Sequence, residues 1–195
     1  MADKRGLSFD FVEMLNLFSN NKNYQYELEI VPRKRLDSYL DNGQKGAVLW
    51  VNPIFFADQN QQKYRWTERL LEDEQSFISS SKTPFIDEID AGKIIRSDVS
   101  YVKQNIGMLL KNRVDSFLIP FTTMKYYEKE MKLSRKIYYS PKPLNSYTRH
   151  ILVNHDQGVY GALNKVVNQL SQDDYWVALL EQYGLDVPLD KQTDY

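Results

Sequence analysis

The chain has 195 residues, 42% of them hydrophobic, enough to bury a substantial core, and its net charge of −1 provides no global basic field for nucleic acid or an anionic membrane. It contains no cysteine, which excludes disulfides, thiolate metal sites and cysteine nucleophiles. Aromatic residues make up 13%, with 14 Tyr and 3 Trp, a supply that suits stacking on a ligand as well as half-buried structural edges.

No apolar run approaches the roughly 18 residues of a membrane span. Met1-Ala2-Asp3-Lys4-Arg5 leads straight into amphipathic sequence instead of the apolar segment of a signal peptide. The expectation is a chain without membrane insertion, either cytosolic or a form whose targeting segment has been removed.

In chain order, Phe9, Val12, Leu15 and Phe18 recur at helical spacing and predict a helix over 8–20, with Ser8 as its cap. Tyr24, Tyr26, Leu28 and Ile30 alternate and predict a strand over 24–31. Pro32 ends it and opens a second helix that turns Leu36, Tyr39 and Leu40 inward. After a turn bracketed by Gly43 and Gly46, Ala47 to Val51 reads as a buried parallel strand. This helix–strand alternation predicts an α/β fold.

Residues 57–66 read as a polar loop. Two short apolar pieces follow, Leu70-Leu71 and Phe77-Ile78, separated by Glu72-Asp73-Glu74, a solvated acidic loop. A helix is predicted from Val99 to about Asn112, capped by Ser97 or Asp98. Val114 to Phe121 reads as another buried strand, 123–134 as a charged helix and Arg149 to Val153 as a strand. Helices are predicted over Val159–Leu170 and Tyr175–Tyr183, the last of them capped by Gly184.

The sequence has no phosphate-binding glycine loop and no nucleophile elbow. His150 and His155 lie five apart around a predicted strand, so they face opposite ways and make a poor metal pair. No catalytic residue, metal or cofactor is assigned. Trp50, Asn52, Phe55 and Phe56 sit at and beyond the end of a predicted strand, where parallel α/β folds bind ligands. The alternative is that Trp50 and Phe55 simply close the core. Arg96, Ser97 and Asp98 stand at a predicted helix start, where unpaired N–H groups can receive an anion or a cap.

Several segments follow one another in a familiar order: Gly6-Leu7-Ser8-Phe9-Asp10, Val31-Pro32-Arg33-Lys34-Arg35-Leu36, and Val51-Asn52-Pro53-Ile54-Phe55-Phe56. Tyr64-Arg65-Trp66-Thr67, Ile78-Ser79-Ser80, Gly92 to Asp98 and Asn112-Arg113-Val114-Asp115 continue the series. Together they resemble the family-3 extracellular solute-binding proteins, the amino-acid-type substrate-binding components of ABC importers. The resemblance implies the two-lobed type II periplasmic-binding-protein fold, with lobe 1 over 1–73 and 147–195 and lobe 2 over 74–146. It also implies hinges near Glu72 to Gln75 and Leu144 to Thr148. It adds Trp66, Thr67 and Thr122 to the ligand-binding set and implies a periplasmic location. The implied partners are a small-molecule ligand and an ABC permease or a sensor protein. A dehydratase-like enzyme or a non-binding interaction domain on the same fold are the alternatives.

The pattern departs from the family at three places. It lacks the strand that members carry ahead of Gly6 and the first strand of lobe 2, so each sheet is expected to be one strand short. Where amino-acid binders place a carboxylate-gripping Arg, this chain has Asp58-Gln59-Asn60-Gln61-Gln62-Lys63.

Overall fold

The structure, a computed structural model, describes residues 6–18, 24–80, 101–133 and 136–185. It divides into two compact units. Unit 1 comprises Met1–Glu72 and Tyr147–Gln182, and unit 2 comprises Asp73–Ser146 and Tyr183–Tyr195. No helix among the described residues is long and apolar enough to cross a membrane.

Unit 1 begins with α1 (Leu7–Phe18), which buries Phe11, Met14 and Leu15. Ser8 is not its cap. The helix already includes Ser8, and the chain enters through Gly6, at φ +121°, whose carbonyl accepts from the N–H groups of Phe9 and Asp10. That conformation favours glycine.

The expected strand over 24–31 does not form. Asn16 of α1 holds the backbone of Tyr26 from both sides: its Nδ2 donates to the Tyr26 carbonyl at 2.9 Å, and its Oδ1 accepts the Tyr26 N–H at 2.8 Å. A ladder needs those groups. After Pro32, α2 (Arg33–Asp41) packs Leu40 inward.

β1 (Gly46–Val51) and the two-residue β2 (Arg65–Trp66) both pair antiparallel with β6 (Asn145–Asn154). The buried parallel strand read from the sequence is therefore half-buried and antiparallel, with Val48, Leu49 and Val51 all partly exposed. Burial falls on β6, where Ile151, Leu152, Val153 and Asn154 are fully buried. One layer against this sheet consists of Leu40, Phe56, Tyr64, Trp66 and Leu152. Elsewhere in the unit α1 packs against α5 (Gln157–Leu170), and Phe11 lies 5.4 Å from Trp176 of α6 (Asp174–Tyr183).

The first turn of α5 is capped by Asp156, which accepts from Gly158 N–H at 3.1 Å and Val159 N–H at 3.0 Å. Gly158 is required by a close approach: a Cβ there would lie 2.2 Å from the Tyr24 hydroxyl. Gly158→Ala should lower the melting temperature, although alanine is the better helix former by about 1 kcal/mol. In a Tyr24→Phe background the nearest Tyr24 atom left is its ring carbon at 3.4 Å, and the same change should become neutral or stabilising. Equal losses in both backgrounds would reject the steric account.

Unit 2 is organised by β3 (Leu71–Ser79), which pairs antiparallel with β4 (Ser116–Pro120) and β5 (Tyr138–Tyr139). Glu72-Asp73-Glu74 is thus not a solvated loop. It lies within a nine-residue strand, and Asp73 is fully buried. All four strand pairings among the described residues are antiparallel, where the sequence pattern suggested parallel ones. β4 is shorter and less buried than the predicted run, since Phe121 already opens α4 (Phe121–Met131). The core joins Ile78, Ile106, Leu109, Ile119, Met124, Leu133 and Ile137. α3 covers Val102–Leu110, with Tyr101 extended at its N-cap, so this helix starts three residues after the predicted Val99.

Candidate functional site

In unit 1 the antiparallel register slips between Val48 and Val51, and Trp50 takes φ +61° in this bulge. Bulges re-aim side chains. Here the Trp50 indole turns into the interior. Its ring is 4.9 Å from Phe11 and stacks on Trp176 at 6.4 Å, and its Nε1 donates to Ser8 Oγ at 2.8 Å. The Trp50 carbonyl accepts from Arg149 Nη1 at 2.7 Å. Arg149 Nη2 donates to the Tyr147 hydroxyl at 3.0 Å, and its guanidinium lies 4.8 Å from the Tyr147 ring and 5.9 Å from that of Phe55.

Immediately after β1, Asn52 is extended, and its Oδ1 accepts the Ile54 N–H at 3.0 Å, capping the 3-10 turn Pro53–Phe56. Its Nδ2 donates to the Thr148 carbonyl at 2.8 Å and lies 3.4 Å from Thr148 Oγ1. Thr148 Oγ1 is 2.6 Å from His150 Nε2, and His150 Nδ1 is 2.8 Å from the Thr67 carbonyl. A carbonyl only accepts, so Nδ1 carries the proton; in the neutral ring Nε2 then accepts the Thr148 hydroxyl proton. The buried Thr67 completes the line: its hydroxyl donates to the Glu68 carbonyl at 2.9 Å and accepts the Ile151 N–H at 3.0 Å.

Asn52 and Thr67 are therefore joined through Thr148 and His150, neither of which the sequence marked as a site residue. The available signal was weak: positions 148 and 150 share one face of a strand. Phe55 remains 39% exposed, edge-on to Tyr147 at 5.4 Å. Phe56 and Trp66 are core residues. Phe56 lies under the Arg33 guanidinium at 4.2 Å, and Trp66 Nε1 donates to the buried Asp58 at 2.8 Å. Trp50, Phe56 and Trp66 thus hold the unit together, while Asn52, Phe55, Thr148 and Tyr147 stand at the end of its sheet.

In unit 2, α4 starts after Pro120, which supplies no capping side chain. Asp73 of β3 does this from a distance: Oδ1 accepts Thr122 N–H at 3.1 Å and Glu74 N–H at 2.9 Å, and Oδ2 accepts the Thr122 hydroxyl at 2.9 Å. A carboxylate suits the positive end of a helix. Further along α4, Glu128 Oε2 accepts from Lys125 Nζ at 3.1 Å and from the Tyr139 hydroxyl at 2.8 Å. The Lys125 ammonium also lies 4.8 Å from the Tyr139 ring and 5.3 Å from that of Phe121. Burial, then the charge of Glu128 and the hydrogen bond to it, push the Tyr139 hydroxyl far above the usual phenol range.

Arg96, Ser97 and Asp98 lie outside the described residues. The helix start they were expected to occupy begins instead at Val102. Among the described residues no three His, Asp or Glu side chains come together in a way that could hold a metal.

No protein-family model matches this sequence, and no curated protein sequence matches it. The structure does match solved ones. The GluR0 ligand-binding core in complex with L-glutamate is similar at a TM-score of 0.68 and 10% identity, over 92% of this chain and 90% of that one. The substrate-binding protein of an amino acid ABC transporter is similar at 0.63 and 16% identity, over 91% and 87%. The L-cystine solute receptor of Neisseria gonorrhoeae, in its unliganded open conformation, is similar at 0.62 and 13% identity, over 93% and 84%. At such identities the likeness is one of fold: this chain has the type II periplasmic-binding-protein fold.

Proposed function

We propose that the chain is a solute-binding domain that captures a small polar or anionic molecule for uptake or sensing. Within unit 1 the candidate contacts are Asn52, Thr148, Phe55 and Tyr147. The observation that carries this reading is the line of polar groups Asn52–Thr148–His150–Thr67 at the end of the sheet, with the exposed Phe55 and the half-buried Tyr147 next to it in the chain. Such a line offers directed hydrogen bonds beside aromatic surface, the usual composition of a small-ligand site. The similar structures support it. One is a ligand-binding core in complex with L-glutamate and another is an L-cystine solute receptor. Delivery of the solute to an ABC permease, and a periplasmic location, belong to the same proposal.

The reading is tested by thermal melting against the proteinogenic amino acids, small dicarboxylates and oligopeptides. A true solute present at 100 times its Kd should raise stability by about 2.7 kcal/mol. Tyr147→Ala should weaken binding of that solute about tenfold or more while leaving the melting temperature of the free protein within a few degrees. The proposal fails if no compound shifts the melt. It also fails if the solute found is turned over, which would make the chain an enzyme on this fold.

A further inference from the structure

A second surface of unit 1 has a built character that the solute-binding reading does not use. It is a depression of about 470 Å³, lined by Lys63, Arg65, His155 and the glutamines Gln61, Gln62 and Gln157, with Tyr64 in its wall. Two cations, an imidazole and three amides line it, and no carboxylate does.

The nearby acids are already engaged. Asp58 spends both oxygens on the loop itself: Oδ1 accepts from Gln62 N–H and Lys63 N–H at 2.8 and 2.9 Å, and Oδ2 from Tyr64 N–H and Trp66 Nε1 at 3.1 and 2.8 Å. Asp156 caps α5 and faces Lys45 at 3.4 Å. Asp41 reaches Lys63 only at 3.5 Å, between exposed side chains, a pairing worth little in water. Arg65 rests over the Tyr160 ring at 5.8 Å, and its guanidinium makes no hydrogen bond among the described residues.

The backbone that presents these groups is held in place. Gln61 donates to the Asp58 carbonyl at 2.8 Å and sits at φ +54°, Arg65 pairs with Val153 of β6, and His155 sits at φ +50° at the β6–α5 junction. A loop backbone fixed in this way loses little freedom on binding, so the ordering cost falls on the side chains alone. Guanidinium, ammonium and amide groups that line one depression with no acid among them suit the oxygens of a compact, multiply charged anion.

We propose that this depression binds a diphosphate group, free or carried on a larger molecule. The test titrates inorganic diphosphate, inorganic monophosphate and a nucleoside diphosphate at constant ionic strength, reading the backbone amide resonances of Gln61 to Arg65 and of His155. Diphosphate should move these resonances saturably and bind about tenfold more tightly than monophosphate, a difference of about 1.4 kcal/mol. Lys63→Gln and Arg65→Gln should each weaken it at least about fivefold without changing the melting temperature, since both side chains are exposed. A nucleoside diphosphate that binds more tightly than diphosphate identifies the carried form, and equal affinity identifies the free group. Equal binding of mono- and diphosphate would overturn the proposal, as would unchanged affinity in the double variant or shifts spread over the whole surface. The double variant should still bind the solute of the melting screen, so failure here and failure of the solute-binding reading are separable.

Discussion

Asp58→Ala is expected to be the most damaging single polar substitution in unit 1, costing about 2–6 kcal/mol for the two buried donors it leaves unsatisfied. The carboxylate is only 5% exposed and accepts four N–H groups, three from the backbone at 62–64 and one from the Trp66 indole. Removing it leaves the indole and the buried Tyr64 N–H without an acceptor, and each unsatisfied buried donor costs about 1–3 kcal/mol. The layer of Phe56, Tyr64 and Trp66, whose rings lie 6.0 to 6.5 Å apart, loses its anchor as well. Denaturant unfolding of wild type and variant measures the difference. A loss below about 1 kcal/mol would show that the loop holds itself.

The same group predicts a pH dependence. Burial raises the Asp58 carboxyl, but the hydrogen bonds from Lys63, Trp66, Tyr64 and Gln62 outweigh it and hold the group below its ordinary value. A carboxyl depressed by folding adds stability that is complete above its unfolded value of about 3.9 and is lost as pH falls through the folded one. Asp58→Asn should therefore be less stable than wild type at neutral pH, and the gap should close below about pH 4. A gap constant down to pH 3 would remove the charge from the account.

Trp50→Ala is expected to cost about 3–5 kcal/mol, the range for a large aromatic removed from packing. The ring bridges α1 and α6 through Phe11 and Trp176, and its indole N–H leaves Ser8 Oγ unpartnered when deleted. The backbone sharpens the test. At φ +61° any side chain is strained, and glycine is not. Trp50→Gly should therefore be at least as stable as Trp50→Ala, although glycine within a strand ordinarily loses about 0.5–1 kcal/mol to alanine. Both variants should retain solute affinity once folded. An early melt with normal binding marks Trp50 as a core residue; normal melting with lost binding would return it to the site.

These two residues show where sequence reasoning reaches its limit. The aromatic cluster after the first strand was visible at 50–56, and Asn52 and Phe55 do stand at the strand end. Whether an aromatic there meets solvent or interior depended on a bulge that the run Ala47 to Val51 does not announce. Asp58 lay in what read as a featureless polar loop, because its four donors become donors to one point only after the loop closes. Thr148 and His150 were passed over for the same reason: Asn52 and Thr148 are 96 residues apart. Asp73 was read as solvated because its neighbours are acidic, yet its partner Thr122 lies 49 residues on.

What the sequence determined by itself is the helices among the described residues, since an apolar stripe at helical spacing is a local property. Phe11, Met14 and Leu15 face inward in α1, and Leu163, Val167 and Leu170 do so in α5. The ordered series of short segments also carried the fold, which the structure bears out. Strands were decided only in three dimensions, because a strand exists through its partner: residues 24–31 alternate and pair with nothing as a strand, while Glu72-Asp73-Glu74 do not alternate and lie in β3. The direction of pairing, the burial of a charge and the identity of the exposed aromatics all depend on which distant segment arrives alongside, and tertiary structure alone supplied that.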